Sequence, residues 1–208
     1  MDSGSDQIVY VVDDDVDVRD SLQWLLESMH LQVESFSTAQ AFLDAYPAGQ
    51  SGCILMDVRM PGLSGISAQK KLPEYNIDLP LIMISAHGNV DMAVTAMTQG
   101  AQTFLEKPFN DQTLLDHVQR ALAEDQKQRS NREQKNSVHE CYKSLTKREK
   151  QVFDRVVQGL SNQETADDLS VNRKTIEGHR ANMMRKMLAN SLAELIQMAV
   201  VLGLVGDR

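Results

Sequence analysis

The sequence predicts a doubly wound α/β fold with a five-stranded parallel sheet over residues 1–123, followed by a helical linker and an all-α domain of four helices. Three observations predict it. Short apolar runs alternate with amphipathic segments up to residue 123, the pattern of a parallel sheet covered by helices. That alternation then stops, and residues 145–204 carry helical spacing alone. A chain of 208 residues is also long enough for two modest domains, each with its own core.

In chain order, strands are expected at IVYVV (8–12), a weaker QVESF (32–36), CILM (53–56), LIMIS (81–85) and TFLE (103–106). Between them Val18, Leu22, Leu25, Leu26 and Met29 recur at helical spacing, as do Ala39, Phe42 and Leu43, then Val90, Val94 and Met97, and finally Leu114, Leu115, Val118 and Leu122. Residues 124–143, EDQKQRSNREQKNSVHECYK, have almost no aliphatic side chains but also no Gly or Pro, so a linker that extends the preceding helix is expected rather than a floppy tether. In residues 144–208, Thr146 and Glu149 form a capping box for a helix to about Gln158, which Gly159 ends. A short helix from Gln163 to Leu169 follows, Asn172 caps a third from Arg173 to about Leu188, and Ser191 opens a fourth carrying Leu192, Leu195, Ile196 and Ala199.

Composition narrows the class. A hydrophobic fraction of 42% and a charged fraction of 24% are those of a globular protein. No apolar run approaches the roughly 20 residues a membrane span needs, and the acidic start MDSGSDQ does not read as a secretory signal, so a cytoplasmic protein with no membrane partner is expected. Cys53 and Cys141 are the only cysteines, read as a buried and a surface thiol, which leaves no disulfide framework and no cysteine metal site. The net charge of −8 hides an asymmetry: residues 1–141 carry 10 basic and 21 acidic side chains, residues 142–208 carry 11 and 8. Any polyanion partner therefore belongs to the second part.

Ligands of an open α/β sheet bind outside the carboxyl ends of its strands. At those ends stand Asp13, Asp14 and Asp15 after the first strand, Asp57 after the third, Ser85 at the end of the fourth and Lys107 after the fifth. Several converging carboxylates repel unless a cation neutralises them, and Mg2+, with its preference for oxygen ligands, is the expected one. Asp57 could then attack a phosphorus atom while Mg2+, Lys107 and Ser85 hold the transferred oxygens. Each residue also has a plainer reading: the Asp triplet as a helix cap, Ser85 as a loop residue, Lys107 as a solvated charge, and His87 as a loop residue rather than a metal ligand or acid–base group.

The segments VVDDD, LMDVRMPGLSG, ISAHG and FLEKPF, in that order and spacing, resemble the receiver domain of two-component response regulators over residues 1 to about 123. The resemblance implies that Asp57 is the phosphoacceptor, that Asp13, Asp14, Asp57 and the backbone carbonyl of Arg59 hold Mg2+, and that Ser85 and Lys107 bind phosphoryl oxygens. It also implies that Phe104 is a rotating switch aromatic, although a plain core aromatic fits the sequence equally well.

The stretch from Leu145 to Met187 has the outline of a helix-turn-helix, with a turn at 170–172 and a final helix rich in Arg and Lys. On a helical wheel Ile176, Met183 and Met187, with His179 near them, share one stripe, and Lys174, Glu177, Gly178 and Ala181 share the opposite face. Arg173, Lys174, Arg180, Arg185 and Lys186 could contact phosphates or bases, small Gly178 and Ala181 would let the helix approach the bases closely, and Asn172 and Glu177 are counted with the DNA-binding residues; a merely solvated basic helix is the alternative. LTKRE, GLSNQETA and KTIEGHRANMMRKM resemble the LuxR-type output domain over residues 143–204, and the combination with a receiver is similar to the FixJ branch. The chain also resembles regulators of bacterial styrene catabolism. These resemblances imply a phosphorylation-activated transcriptional regulator rather than an enzyme. Its partners would be a sensor histidine kinase, promoter DNA, RNA polymerase and, once phosphorylated, a second copy of itself.

Two rivals remain. An aspartyl-phosphate phosphatase or phosphotransferase would use the same nucleophile, but such enzymes place a second acid two residues later, where this chain has Arg59. A vestigial receiver controlled by ligand or protein contacts would not need the full set of site residues that is present.

Overall fold

In the computed structural model, which describes residues 7–86 and 90–205, the chain divides into two compact units, residues 1–128 and 129–208. The first unit runs β1 (Gln7–Val12), α1 (Val16–Ser28), β2 (Gln32–Phe36), α2 (Ala39–Ala45), β3 (Ser51–Asp57), α3 (Gly65–Lys71), β4 (Leu81–Ser85), α4 (Val90–Thr98), β5 (Thr103–Glu106) and the start of α5 (Asp111–Lys143). All strands pair in parallel in the order β2-β1-β3-β4-β5. The chain therefore reverses its direction of travel across the sheet at β1, and the crevice between the ends of β1 and β3 is the topological switch point.

The central strands are apolar without alternation because helices cover both faces. Tyr10, Val12, Ile54, Met56 and Met83 pack under α2, α3 and α4, while Val9, Val11, Cys53, Leu55, Ile82 and Ile84 pack under α1 and α5. Tyr10 sits among Phe36, Phe42 and Tyr46, with ring centroids 5.3 to 6.4 Å from its own. The weaker expected strand, β2, is an edge strand paired only with β1, and its residues are exposed or half-buried.

Two elements differ from expectation. Helix α3, capped by Ser64, was not legible, because its sequence GISAQKK has too few apolar residues to show a period. In α4 the period marks a helix but not a buried stripe: Val90, Val94 and Met97 are 78%, 58% and 46% exposed, and Ala96 is the buried contact. Spacing identifies a shared face without saying which way that face points.

Helix α5 is continuous through the segment expected to be a linker. On the first unit its Asp125 carboxylate is buried and accepts hydrogen bonds from the Gly52 amide at 3.0 Å and from the Ser51 hydroxyl. Burial, and secondarily the Asp125 charge, push the Cys53 thiol well above its ordinary range.

The second unit contains the end of α5, α6 (Lys147–Val157), α7 (Asn162–Asp168), α8 (Arg173–Met187) and α9 (Leu192–Val201). Its core includes Val138, Val152, Phe153, Val156, Ile176, Met183, Met187, Leu195 and Ala199. Cys141, expected on the surface, is half-buried against this core. The Thr146–Glu149 capping box is present, and a second one, Ser161–Glu164, starts α7 one residue earlier than expected. No helix among the described residues is long and apolar enough to cross a membrane.

Candidate functional site

Strand register brings the first site together. Val12 of β1 pairs with Met56 of β3, so the residues that follow them, Asp13 and Asp57, stand side by side at the sheet edge, 1% and 5% exposed. Lys107 leaves β5 with its amide donating to the Ser85 carbonyl at 2.8 Å. Its Nζ reaches across to donate to Asp13 Oδ2 at 2.6 Å and to Asp57 Oδ1 at 2.9 Å. Asp57 Oδ2 accepts the Arg59 amide at 2.6 Å. That contact was not anticipated, although a carboxylate ending a strand before a turn is well placed to accept from the amide two residues on.

The three neighbouring aspartates separate into different roles. Asp13 is buried in the site, Asp14 is exposed, and Asp15 caps α1 by accepting from the Asp17 amide at 2.9 Å. Two buried carboxylates converge, not three, and among the described residues no group of three His, Cys, Asp or Glu side chains is close enough to share a metal. The donors that do converge are hard oxygens, a set that suits Mg2+, which takes one or two carboxylates and keeps waters. Ser85 is fully buried at the end of β4.

Burial raises the Asp57 carboxyl above the ordinary aspartate range, against the opposing pull of Lys107 and the Arg59 amide. For Lys107 burial acts to lower the pKa, but hydrogen bonds to Asp13 and then Asp57 outweigh it and the ammonium ends above its ordinary value. The site therefore holds a basic, nucleophile-capable carboxylate beside a firmly protonated cation.

Behind the site the turn expected at Pro61 and Gly62 has Gly62 in the left-handed region, φ 78°. Gly65, which sequence reasoning passed over, is required by close approach: a Cβ there would lie 2.2 Å from the Asp57 carbonyl oxygen. The start of α3 can thus press against the end of β3.

In the second unit α7 and α8 form the expected helix-turn-helix, with Ser170 in the left-handed region at φ 52° and Asn172 capping α8 through the Thr175 amide at 2.7 Å. Ile176, Met183 and Met187 are buried, His179 is half-buried, and Asn172, Arg173, Lys174, Glu177, Gly178, Ala181 and Arg185 are exposed. Arg180 is half-buried and donates to Asn162 Oδ1 of α7 at 3.0 Å, so it also braces the motif. Lys186 is engaged within the fold: its Nζ donates to the buried Glu149 carboxylate at 2.7 Å. A basic residue near a helix end looks alike in sequence whether it serves the fold or a partner.

A model of the response regulator receiver domain matches residues 9–119 and one of the luxR family of bacterial regulatory proteins matches residues 143–199. The chain belongs to the two-component response regulators. It is 41% identical to the transcriptional regulatory protein FixJ of Bradyrhizobium diazoefficiens over 96% of this chain and 97% of that one. It is 40% identical to the response regulator protein TodT of Pseudomonas putida F1, over 91% and 84%. A solved structure of response regulator StyR superposes with a TM-score of 0.87 at 39% identity, covering 94% of this chain and 99% of that one. The chain is accordingly a transcriptional regulator of the FixJ branch with a LuxR-type DNA-binding domain.

Phe104 in β5 is half-buried and packs against the core under α4. His87 lies outside the described residues.

Proposed function

We propose that this response regulator is switched by transfer of a phosphoryl group from a sensor histidine kinase to Asp57. The observation that carries the reading is the buried Asp57 carboxylate at the switch point, held by Lys107 Nζ at 2.9 Å and the Arg59 amide at 2.6 Å. Attack of one Asp57 oxygen on phosphorus forms the acyl phosphate and releases the donor's leaving group. The product carries about −1.5 to −2 charge where the carboxylate carried one negative charge. Lys107 and the Ser85 hydroxyl then bind the new oxygens. Bound Mg2+, held by Asp13, Asp14, Asp57 and the Arg59 carbonyl, would neutralise the charge that develops on those oxygens.

In the proposed cycle the Ser85 contact draws β4 and α4 toward the phosphoryl group, Phe104 turns inward behind it, and the α4 surface bearing Val90, Val94 and Met97 becomes a dimer interface. An exposed apolar stripe of this kind on a helix supports an interaction surface. Two output domains then bind two half-sites in promoter DNA through α8, by Asn172, Arg173, Lys174, Glu177, Gly178, Arg180, Ala181 and Arg185, and engage RNA polymerase. Pairing matters because joining two weak heads multiplies their affinity through effective concentration. The resemblance to styrene-catabolism regulators extends the proposal to an aromatic-degradation operon, with the protein working in the cytoplasm.

Incubation with an acyl phosphate and Mg2+ tests the switch. One phosphoryl group per chain, a larger dimer fraction and tighter operator binding are expected, all absent in Asp57→Asn. Sustained release of many equivalents of phosphate would instead favour the phosphatase reading, which Arg59 in place of a second acid argues against.

A further inference from the structure

The exposed face of α8 carries an acid where a surface meeting a polyanion would ordinarily be basic or neutral. Glu177 is 46% exposed and its Oε1 accepts from Arg173 Nε at 2.9 Å, with Arg173 itself 64% exposed. Beside it Gly178 has no internal reason to be glycine: an added Cβ would meet nothing within 4 Å and its φ is not positive. Glycine inside a helix loses stability to alanine, so what it gains lies outside the protein. Ala181 continues this bare surface.

The chemistry of the acid narrows its partner. A carboxylate only accepts hydrogen bonds, so it is repelled by phosphates and by the acceptor edges of guanine and thymine. The major groove offers it two donors, the N4 amino group of cytosine and the N6 amino group of adenine. Adenine sets its N7 acceptor beside the amino group, which a single carboxylate opposes. Cytosine sets no acceptor there. Resting on the DNA-binding reading of α8, we propose that Glu177 is a specificity-determining residue that accepts a hydrogen bond from the N4 amino group of a cytosine in each half-site. Arg173 neutralises the carboxylate against the phosphates, and Gly178 and Ala181 let the helix backbone come close enough for its reach.

Selection from a random double-stranded DNA library, using the full chain treated with acyl phosphate and Mg2+, tests this. The wild type should select one invariant cytosine per half-site. Glu177→Gln should lose about 5- to 150-fold of that preference and shift toward adenine, the base that Gln pairs with. Arg173→Ala should weaken binding to every sequence yet keep the cytosine. Gly178→Ala should raise the melting temperature and still weaken binding to the selected site. Retention of the same cytosine by Glu177→Gln, or a uniform affinity loss with base preferences unchanged, overturns the proposal while leaving DNA binding by α8 intact. A wild type that selects no sequence overturns the α8 reading itself.

Discussion

Asp57 is a buried acid that shares a single ammonium with Asp13, and the two carboxylates outnumber the cation between them. Burial raises the Asp57 pKa above its ordinary 3.8. The folded state then holds the proton more tightly than the unfolded chain, so the Asp57 contribution to stability is fully present below its ordinary value and is lost as pH rises through the raised one. Asp57→Asn removes that ionisation while Lys107 keeps its 2.6 Å bond to Asp13. The variant should melt at a higher temperature than the wild type at pH 7, with the gap closing as pH falls toward 4, measured by calorimetry without Mg2+. A lower melting temperature at pH 7 would mean that the Lys107 contact outweighs burial. Acyl-phosphate uptake should also slow in the wild type as pH drops through the raised pKa, because only the ionised carboxylate is a nucleophile.

Glu149 shows how one side chain can serve two elements. It closes the capping box of α6 by accepting the Thr146 amide at 2.8 Å, and the same carboxylate accepts from Lys186 in the last turn of α8. Burial opposes its charge, but the Lys186 and Thr146 hydrogen bonds prevail and hold its pKa below the ordinary glutamate value of 4.5. Glu149→Ala strands the partly buried Lys186 ammonium and an orphan helix amide, at a cost of about 1–3 kcal/mol. Denaturant unfolding followed by helix signal should report that loss. The depressed pKa makes the contribution present above about pH 4.5 and lost as pH falls through the lower folded value. Wild type and variant should therefore converge in acid.

Across the whole molecule the proposed switch depends on assembly. Val94 lies 58% exposed in the middle of the α4 stripe, so Val94→Asp leaves the core unchanged but places a charge in the proposed dimer interface. Burying an unpaired charge is costly enough to weaken association by about tenfold or more. Sedimentation after acyl-phosphate treatment should find the variant monomeric while mass spectrometry finds its phosphoryl uptake intact. A phosphorylated Val94→Asp dimer as strong as the wild type would place the interface elsewhere. The acidic first unit and mildly basic second part also lead us to expect that operator binding weakens steeply with salt, as phosphate contacts do.

Local information is what the sequence by itself determined. The five strands, the caps at Thr146, Asn172 and Ser191, and the order of Asp13, Asp57, Ser85 and Lys107 were all legible, because buried runs, capping hydroxyls and strand-end positions depend on neighbours in the chain. Only the tertiary structure decided which groups meet and which faces are covered. The register of β1 on β3 put Asp13 rather than Asp14 beside Asp57. Packing turned the α4 stripe outward and drew Lys186 inward to Glu149. Spacing encodes that residues share a face, whereas the direction of that face is chosen by burial against elements distant in sequence.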